Sequence, residues 1–286
     1  MSAPRNGLTA AVVAVVLLGG CDGGGLNIQN VDVGSIVRSV ADLRPVQEPE
    51  EIEIGQGMLE TLLGARPLLD DPELQRYVNG VGLWVARQSE RPDLPWQFGV
   101  NDSDHINAFA APGGYIIVTK GMMASLRNEA ELAGVLGHEI AHVVQKHHLR
   151  ALRKNAVINL LSEGASAASS ESRHKEMVEM LIGPTRELYA RGLDKSDEFE
   201  ADRMGVVLAA RAGYDPYGLP AVMTTLAAVN PADSYLALLY KTHPAPDARI
   251  QQLMTGMGTR FDAFAEARQN ATRFQQATRR LQLAER

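Results

Sequence analysis

A single cysteine, Cys21, occurs among the 286 residues, so no internal disulfide can form and the chain is not a disulfide scaffold. It also lacks a long run of lysine and arginine, and its formal net charge is -6, which argues against a nucleic-acid partner. After Leu18 no apolar stretch is long enough to cross a bilayer. No internal similarity of solenoid length is visible. What is present is ordinary for a globular chain. Hydrophobic residues make up 45% and charged residues 22%, enough to bury a core in one sizeable domain or two small ones.

The N-terminus has a pattern of its own. Arg5 precedes the apolar stretch Leu8 to Leu18, and small residues Gly19 and Gly20 follow. A positive start, a short apolar run and a small-residue end predict a secretory signal peptide over residues 1–20. The segment Leu18-Gly19-Gly20-Cys21 resembles a bacterial lipobox. That resemblance implies that Cys21 is lipidated and becomes the first residue of the mature protein, held at a membrane surface without spanning it. The glycines after Asp22 then open a tether over residues 21–49, ahead of a folded domain at 50–286.

Within that domain, apolar side chains recur at helical spacing over 50–66 and 72–90, with Asp71-Pro72 as a helix start. Short strands are expected at 96–100, 106–110 and 115–119, the last two joined by the turn Pro112-Gly113-Gly114. Asn128 opens the next helix as N-cap, with Glu131 completing a capping box. Residues 162–172 are small and polar and read as a loop. Helical patterns resume at 173–190, 197–212, 217–229, 248–257 and, as one long charged helix, 261–283.

The chemistry concentrates in the helix that follows Asn128. Residues 138–142 read His-Glu-Ile-Ala-His. Two histidines four apart share one helix face, so His138 and His142 can both reach one metal, at about 2.0–2.1 Å for zinc. Glu139, next to the first ligand, is angled to take a proton from a zinc-activated water rather than to bind the metal. Such a five-residue match arises by chance in about one chain in a hundred of this composition, so its context decides its meaning. His147 and His148 continue the same helical stretch and read as core or surface histidines near its C-terminal end.

A catalytic zinc needs a third protein ligand. Glu198 and Asp202, four apart on an expected helix, share a face. One of them can bind metal while the other supports a ligand by accepting its ring N–H, as Asp202 can do for His138.

Four blocks extend the argument: NAFAAPGGYIIVTKG at 107–121, NEAELAGVLGHEIAH at 128–142, DEFEADRMG at 197–205 and THPAPDARI at 242–250. Together, over about residues 50–260, they resemble the M48 metallopeptidases, the group of HtpX and the CAAX prenyl proteases, and most closely its bacterial lipoprotein branch. The resemblance implies one Zn2+ per chain on His138, His142 and Glu198, Glu139 as general base, and Asp202 behind the ligands. The pattern departs at Asp194-Lys195, where many relatives carry Ser-Arg.

The expected architecture is α+β: a mainly helical, zincin-like domain with a small sheet lining the cleft. Asn107, Ala108, Phe109 and Ala110 resemble the family's cleft strand, which would pair with an extended substrate, although an ordinary core hairpin fits them equally. His243 belongs to the Thr-His-Pro block. It would donate to the oxyanion, serve as a fourth zinc ligand at rest, or be structural. Arg249 would assist it or brace the fold.

The implied activity is hydrolysis of internal peptide bonds in unfolded or misassembled envelope proteins at the periplasmic face of a bacterial membrane, inner or outer left open. A membrane-tethered chaperone or assembly factor with latent protease activity is the alternative. A CAAX-type processing enzyme is disfavoured by the lack of multiple membrane-spanning segments.

Overall fold

The computed structural model describes residues 45–154, 178–179, 181–183, 185–228, 234–243, 246–264 and 267–284. The signal peptide, Cys21, most of the tether and the polar loop at 162–172 lie outside these residues. The architecture is mainly helical α+β with one small mixed sheet. Among the described residues, no helix is long and apolar enough to cross a membrane.

Helix α1 spans Glu48–Ala65. Its start is capped where Glu50 accepts a hydrogen bond from the Gln47 amide at 2.9 Å. Helix α2, Pro72–Ala86, begins at Asp71, whose carboxylate accepts from the amides of Glu73 and Leu74. Both helices flank a sheet of β1 (Gln97–Asn101), β2 (Ala108–Ala111) and β3 (Tyr115–Thr119), ordered β1-β3-β2. Strand β3 pairs parallel with β1 and antiparallel with β2. Gly113 and Gly114 turn β2 into β3 at φ of 78° and 101°, a region that favours glycine.

Helix α3 (Lys120–Ser125) follows, unforeseen, and then α4 (Glu129–Val144) carries the His-Glu-Ile-Ala-His segment. Asn128 caps α4 by accepting from the Glu131 amide at 2.9 Å, while the Glu131 carboxylate reaches back to the Arg127 amide rather than to that of Asn128. Glu129 anchors the same end. It accepts from Tyr77, Tyr214 and Asn270 at 2.7, 2.9 and 2.8 Å, which ties α2 and the C-terminal segment to α4.

Two expectations fail on backbone geometry. His147 and His148 do not continue α4. The helix stops at Val144 and Lys146 adopts a left-handed φ of 56°, so helical residues 147–154 set off in a new direction. Nor is 261–283 one helix. A 3-10 turn occupies Asp262–Phe264, residues 267–270 are not helical, and Asn270 at φ 48° precedes two short helices, Ala271–Ala277 and Arg279–Ala284.

The remaining helices are α5 (Thr185–Arg191), α6 (Lys195–Arg211), α7 (Gly218–Ala227), α8 (Ala237–Thr242) and α9 (Pro246–Met257). The largest apolar cluster joins α2, the sheet and α4. Helix α6 crosses α4 closely at Gly137 and Gly205. A Cβ on Gly137 would lie 2.7 Å from the Gly205 carbonyl oxygen, and one on Gly205 would lie 2.7 Å from the His138 amide nitrogen. Two facing glycines let the backbones approach, and that approach brings the acidic face of α6 to the two histidines.

Candidate metal centre

Helix periodicity puts His138 and His142 on one face of α4, and packing buries both. Their Nε2 atoms converge to 3.0 Å. From α6, Glu198 brings Oε2 to 3.7 Å from His138 Nε2 and Oε1 to 3.5 Å from His142 Nε2. Two donors about 2.0–2.1 Å from one tetrahedral zinc stand about 3.3–3.4 Å apart, so the three side chains are spaced as ligands of one ion. Glu198 Oε1 is buried and accepts no hydrogen bond among the described residues. A buried carboxylate oxygen without a donor is costly unless a cation satisfies it. Two imidazole nitrogens and a carboxylate oxygen also suit zinc chemically.

A second tier holds this set in place. Asp202, one turn beyond Glu198, lies 2.9 Å from His138 Nδ1. This orients His138 so that Nε2 faces inward. Arg249 of α9 donates to both Asp202 oxygens at 2.8 and 2.6 Å, and its Nη1 stands 3.4 Å from Glu198 Oε2. Burial alone would raise the carboxyls of Asp202 and Glu198. Arg249 outweighs it at Asp202, and His243 with Arg249 outweighs it at Glu198, whose pKa is held at about 2. Both are therefore ionised acceptors. Burial drives His142 far down, and it is neutral, as a metal ligand must be.

Glu139 is outside the cluster of ligand atoms and lines the cleft. Burial pushes its pKa up, with His138 and His243 partly opposing the shift. His243, at the C-terminal end of α8, joins the centre. Its Nδ1 lies 2.8 Å from Glu198 Oε2 and its Nε2 stands 4.0 Å from Glu139 Oε1. Burial lowers the His243 pKa but Glu198 more than restores it. With His138, His142 and Glu198, His243 forms a buried group whose ligand atoms lie within 4.8 Å of one another.

Of the cleft-strand residues, Ala108, Phe109 and Ala110 form β2, an edge strand, while Asn107 sits just before it. All four are buried. The outer edge is partly occupied, because Tyr189 of α5 donates to the Ala110 carbonyl at 2.7 Å. No sequence signal pointed to Tyr189. Lys195, in the segment that departs from the family pattern, begins α6 and makes no contact with Glu198 among the described interactions. His148, read from the sequence as a core or surface histidine, is buried, and burial pushes its pKa down to about 3.

A helix pair presenting two histidines and a glutamate to one point, with a second glutamate standing beside them in a cleft, is the architecture of a metal-dependent hydrolase. Residues 72–256 match peptidase family M48, and the chain belongs to that family. It is 29% identical over 208 residues to the beta-barrel assembly-enhancing protease of Escherichia coli K12, covering 70% of this chain and 42% of that protein. The putative beta-barrel assembly-enhancing protease of Vibrio cholerae is 30% identical over 234 residues, covering 78% of this chain and 46% of that one. The mitochondrial metalloendopeptidase OMA1 of Arabidopsis thaliana is 29% identical over 190 residues, 65% of this chain and 36% of that protein. The chain thus spans less than half the length of these curated relatives.

Proposed function

We propose that this chain is a zinc endopeptidase acting on unfolded or misassembled envelope proteins, with the metal on His138, His142 and Glu198. The observation that carries the reading is Glu198 Oε1, buried and, among the described residues, without a hydrogen-bond donor at the point where two histidine nitrogens converge. Zinc bound there would lower the pKa of a water and polarise a peptide carbonyl.

The chain's own side chains supply the rest. Glu139 accepts the proton of the attacking water and returns it to the leaving amine, a role that its burial beside His138 and His243 suits. Asp202 keeps His138 in the tautomer with Nε2 bare, and Arg249 holds Asp202. Because His243 Nδ1 donates to Glu198, which favours the doubly protonated ring, its Nε2–H is the face left for substrate, and we assign the imidazolium as a donor to the charge that develops on the carbonyl oxygen. The segment 107–110, of which Ala108, Phe109 and Ala110 border the cavities, would guide an extended peptide.

In this reading the lipid on Cys21 holds the domain at the periplasmic face of a bacterial membrane. The envelope setting is supported by the names of the bacterial relatives. Zinc content and cleavage of an unfolded protein, measured together for wild type and Glu139→Gln, test the assignment. We expect one zinc per chain in both and a loss of turnover of about 10²–10⁴-fold in the variant. A zinc-loaded Glu139→Gln protein that cleaves normally would refute the role of Glu139. A wild type that binds no zinc would refute the centre.

A further inference from the structure

Two cavities meet at Glu139. The larger, of about 520 Å³ including open solvent at its mouth, counts the charged or titratable groups His138, Glu139, His243 and Arg249 among its lining residues. Met122, Val135, Val222 and Leu226 line the remainder with apolar surface. The smaller, of about 270 Å³ including open solvent, is walled by a different set of elements, with Phe109, Ala110, Leu188, Tyr189 and Gly192. Ala108, Glu139 and His243 border both. In an extended peptide, successive side chains point to opposite faces, so the two residues flanking a bond held at Glu139 diverge.

Resting on the peptidase reading, we propose that these cavities are the pockets for those two residues. The larger takes a large apolar side chain such as leucine, methionine or phenylalanine, and the smaller takes a small one. Among the described lining residues the larger pocket has no charged group other than His138, Glu139, His243 and Arg249, so a charged side chain seated on its apolar wall would lose its water uncompensated. A difference of one methylene in such a pocket is worth about 10–200-fold in specificity. In the smaller pocket the Tyr189 hydroxyl is already committed to Ala110, and its ring packs against Phe109 with centroids 5.4 Å apart, which limits the room.

The test is digestion of an unfolded, carboxymethylated protein of known sequence by the zinc-loaded chain, with new termini read by mass spectrometry. We expect leucine, methionine and phenylalanine to exceed charged residues at least about tenfold at one flank, and alanine, glycine and serine to prevail at the other. Val222→Trp should fill the larger pocket and turn its flank towards alanine and serine. If that variant does not fold, Leu226→Ala, which widens the pocket, should admit tryptophan. Cleavage spread evenly over residue types, or a profile that neither variant moves, would overturn the pockets while leaving the peptidase intact. No cleavage at all by the zinc-loaded wild type would remove the peptidase reading itself and this proposal with it.

An independent observation concerns His147. Its ring is fully buried, and its Nδ1 lies 2.8 Å from Nδ1 of His142. On its far side, Nε2 is 3.4 Å from Glu200 Oε2 and 3.9 Å from Asp197 Oδ1. A cation shared by these three would be opposed by Arg150, which donates to Asp197 at 2.9 Å. We infer instead that His147 is a positioning residue. It accepts the Nδ1 proton of His142, which leaves His142 Nε2 bare towards Glu198, and it turns its own Nε2 proton towards Glu200. This does for His142 what Asp202 does for His138.

Zinc affinity by chelator competition on the purified chain tests it, with the unfolding midpoint of the metal-free protein measured beside it. His147→Ala should weaken zinc binding about 10–100-fold. His147→Asn, whose side-chain oxygen can accept where Nδ1 did, should recover most of that loss. Equal affinity for His147→Ala and wild type, or equal losses for His147→Ala and His147→Asn, would overturn the inference.

Discussion

Replacing Glu198 or Asp202 by alanine should have opposite consequences for metal and fold. The two carboxylates sit one turn apart on α6 and both are buried. Glu198 is one of three proposed ligands, and among the described residues it is the only acidic member of the cluster. Glu198→Ala should therefore lose most zinc affinity. Its effect on the metal-free fold should be the smaller one. Arg249 keeps both hydrogen bonds to Asp202, and His243 can shed its proton. A lost buried hydrogen bond of this kind costs about 1–3 kcal/mol.

Asp202→Ala has the reverse profile. It leaves His138 without its orienting acceptor, which typically costs about 10–100-fold in metal affinity. It also strips the buried Arg249 of its two closest acceptors, leaving, among the described residues, Glu198 at 3.4 Å and His138 Nδ1 at 3.5 Å. Removing one partner of a buried ion pair destabilises by about 3–5 kcal/mol. Chelator titration ranks the affinities, and urea unfolding in the presence of chelator ranks the apo stabilities. If Asp202→Ala binds zinc more weakly than Glu198→Ala, ligand and support have been exchanged. If the two apo proteins are equally stable, the account of Arg249 is wrong.

His243→Ala should slow cleavage about 10²–10³-fold with zinc retained, as loss of one oxyanion donor does. A faster enzyme would mean that His243 blocks the metal at rest, and no change would make it structural. Cys21→Ala should move the protein from the membrane fraction to the soluble one with peptidase activity intact, because the proposed tether precedes every block of the site. A variant that stays with the membrane after fractionation would point to an uncleaved apolar helix instead. Away from the metal, burial raises the Glu51 pKa but Arg91 and Lys146, at 2.7 and 2.9 Å, outweigh it, so the folded value is depressed. Its stabilisation is thus complete above the unfolded carboxyl's pKa and fades as pH falls through the lower folded one. Glu51→Gln should flatten the acid limb of a stability-against-pH curve, and an unchanged limb would exclude this carboxylate as a contributor.

Local chemistry determined much of this protein in the sequence alone. Spacing of four on a helix was enough to place His138 with His142 and Glu198 with Asp202, because the α-helical repeat is independent of the rest of the fold. The Asn128 cap, the Asp71-Pro72 start and the Pro112-Gly113-Gly114 turn were legible for the same reason: each depends on a few adjacent residues.

Whatever depended on long-range contact was decided only by tertiary structure. The break at Lys146 has no strong local signal, yet it swings His147 back onto His142. The interruption at Asn270 lets that residue reach Glu129 in place of continuing a helix whose apolar spacing looked adequate. The approach of α6 to α4 needed Gly137 and Gly205 to face one another, which neither segment discloses alone. The bond from His243 to Glu198, the clasp of Arg249 on Asp202 and the cover of Tyr189 over β2 join residues far apart in the chain. Such pairings arise from the packing of whole helices, and a helical repeat carries no record of which neighbour its buried face will meet.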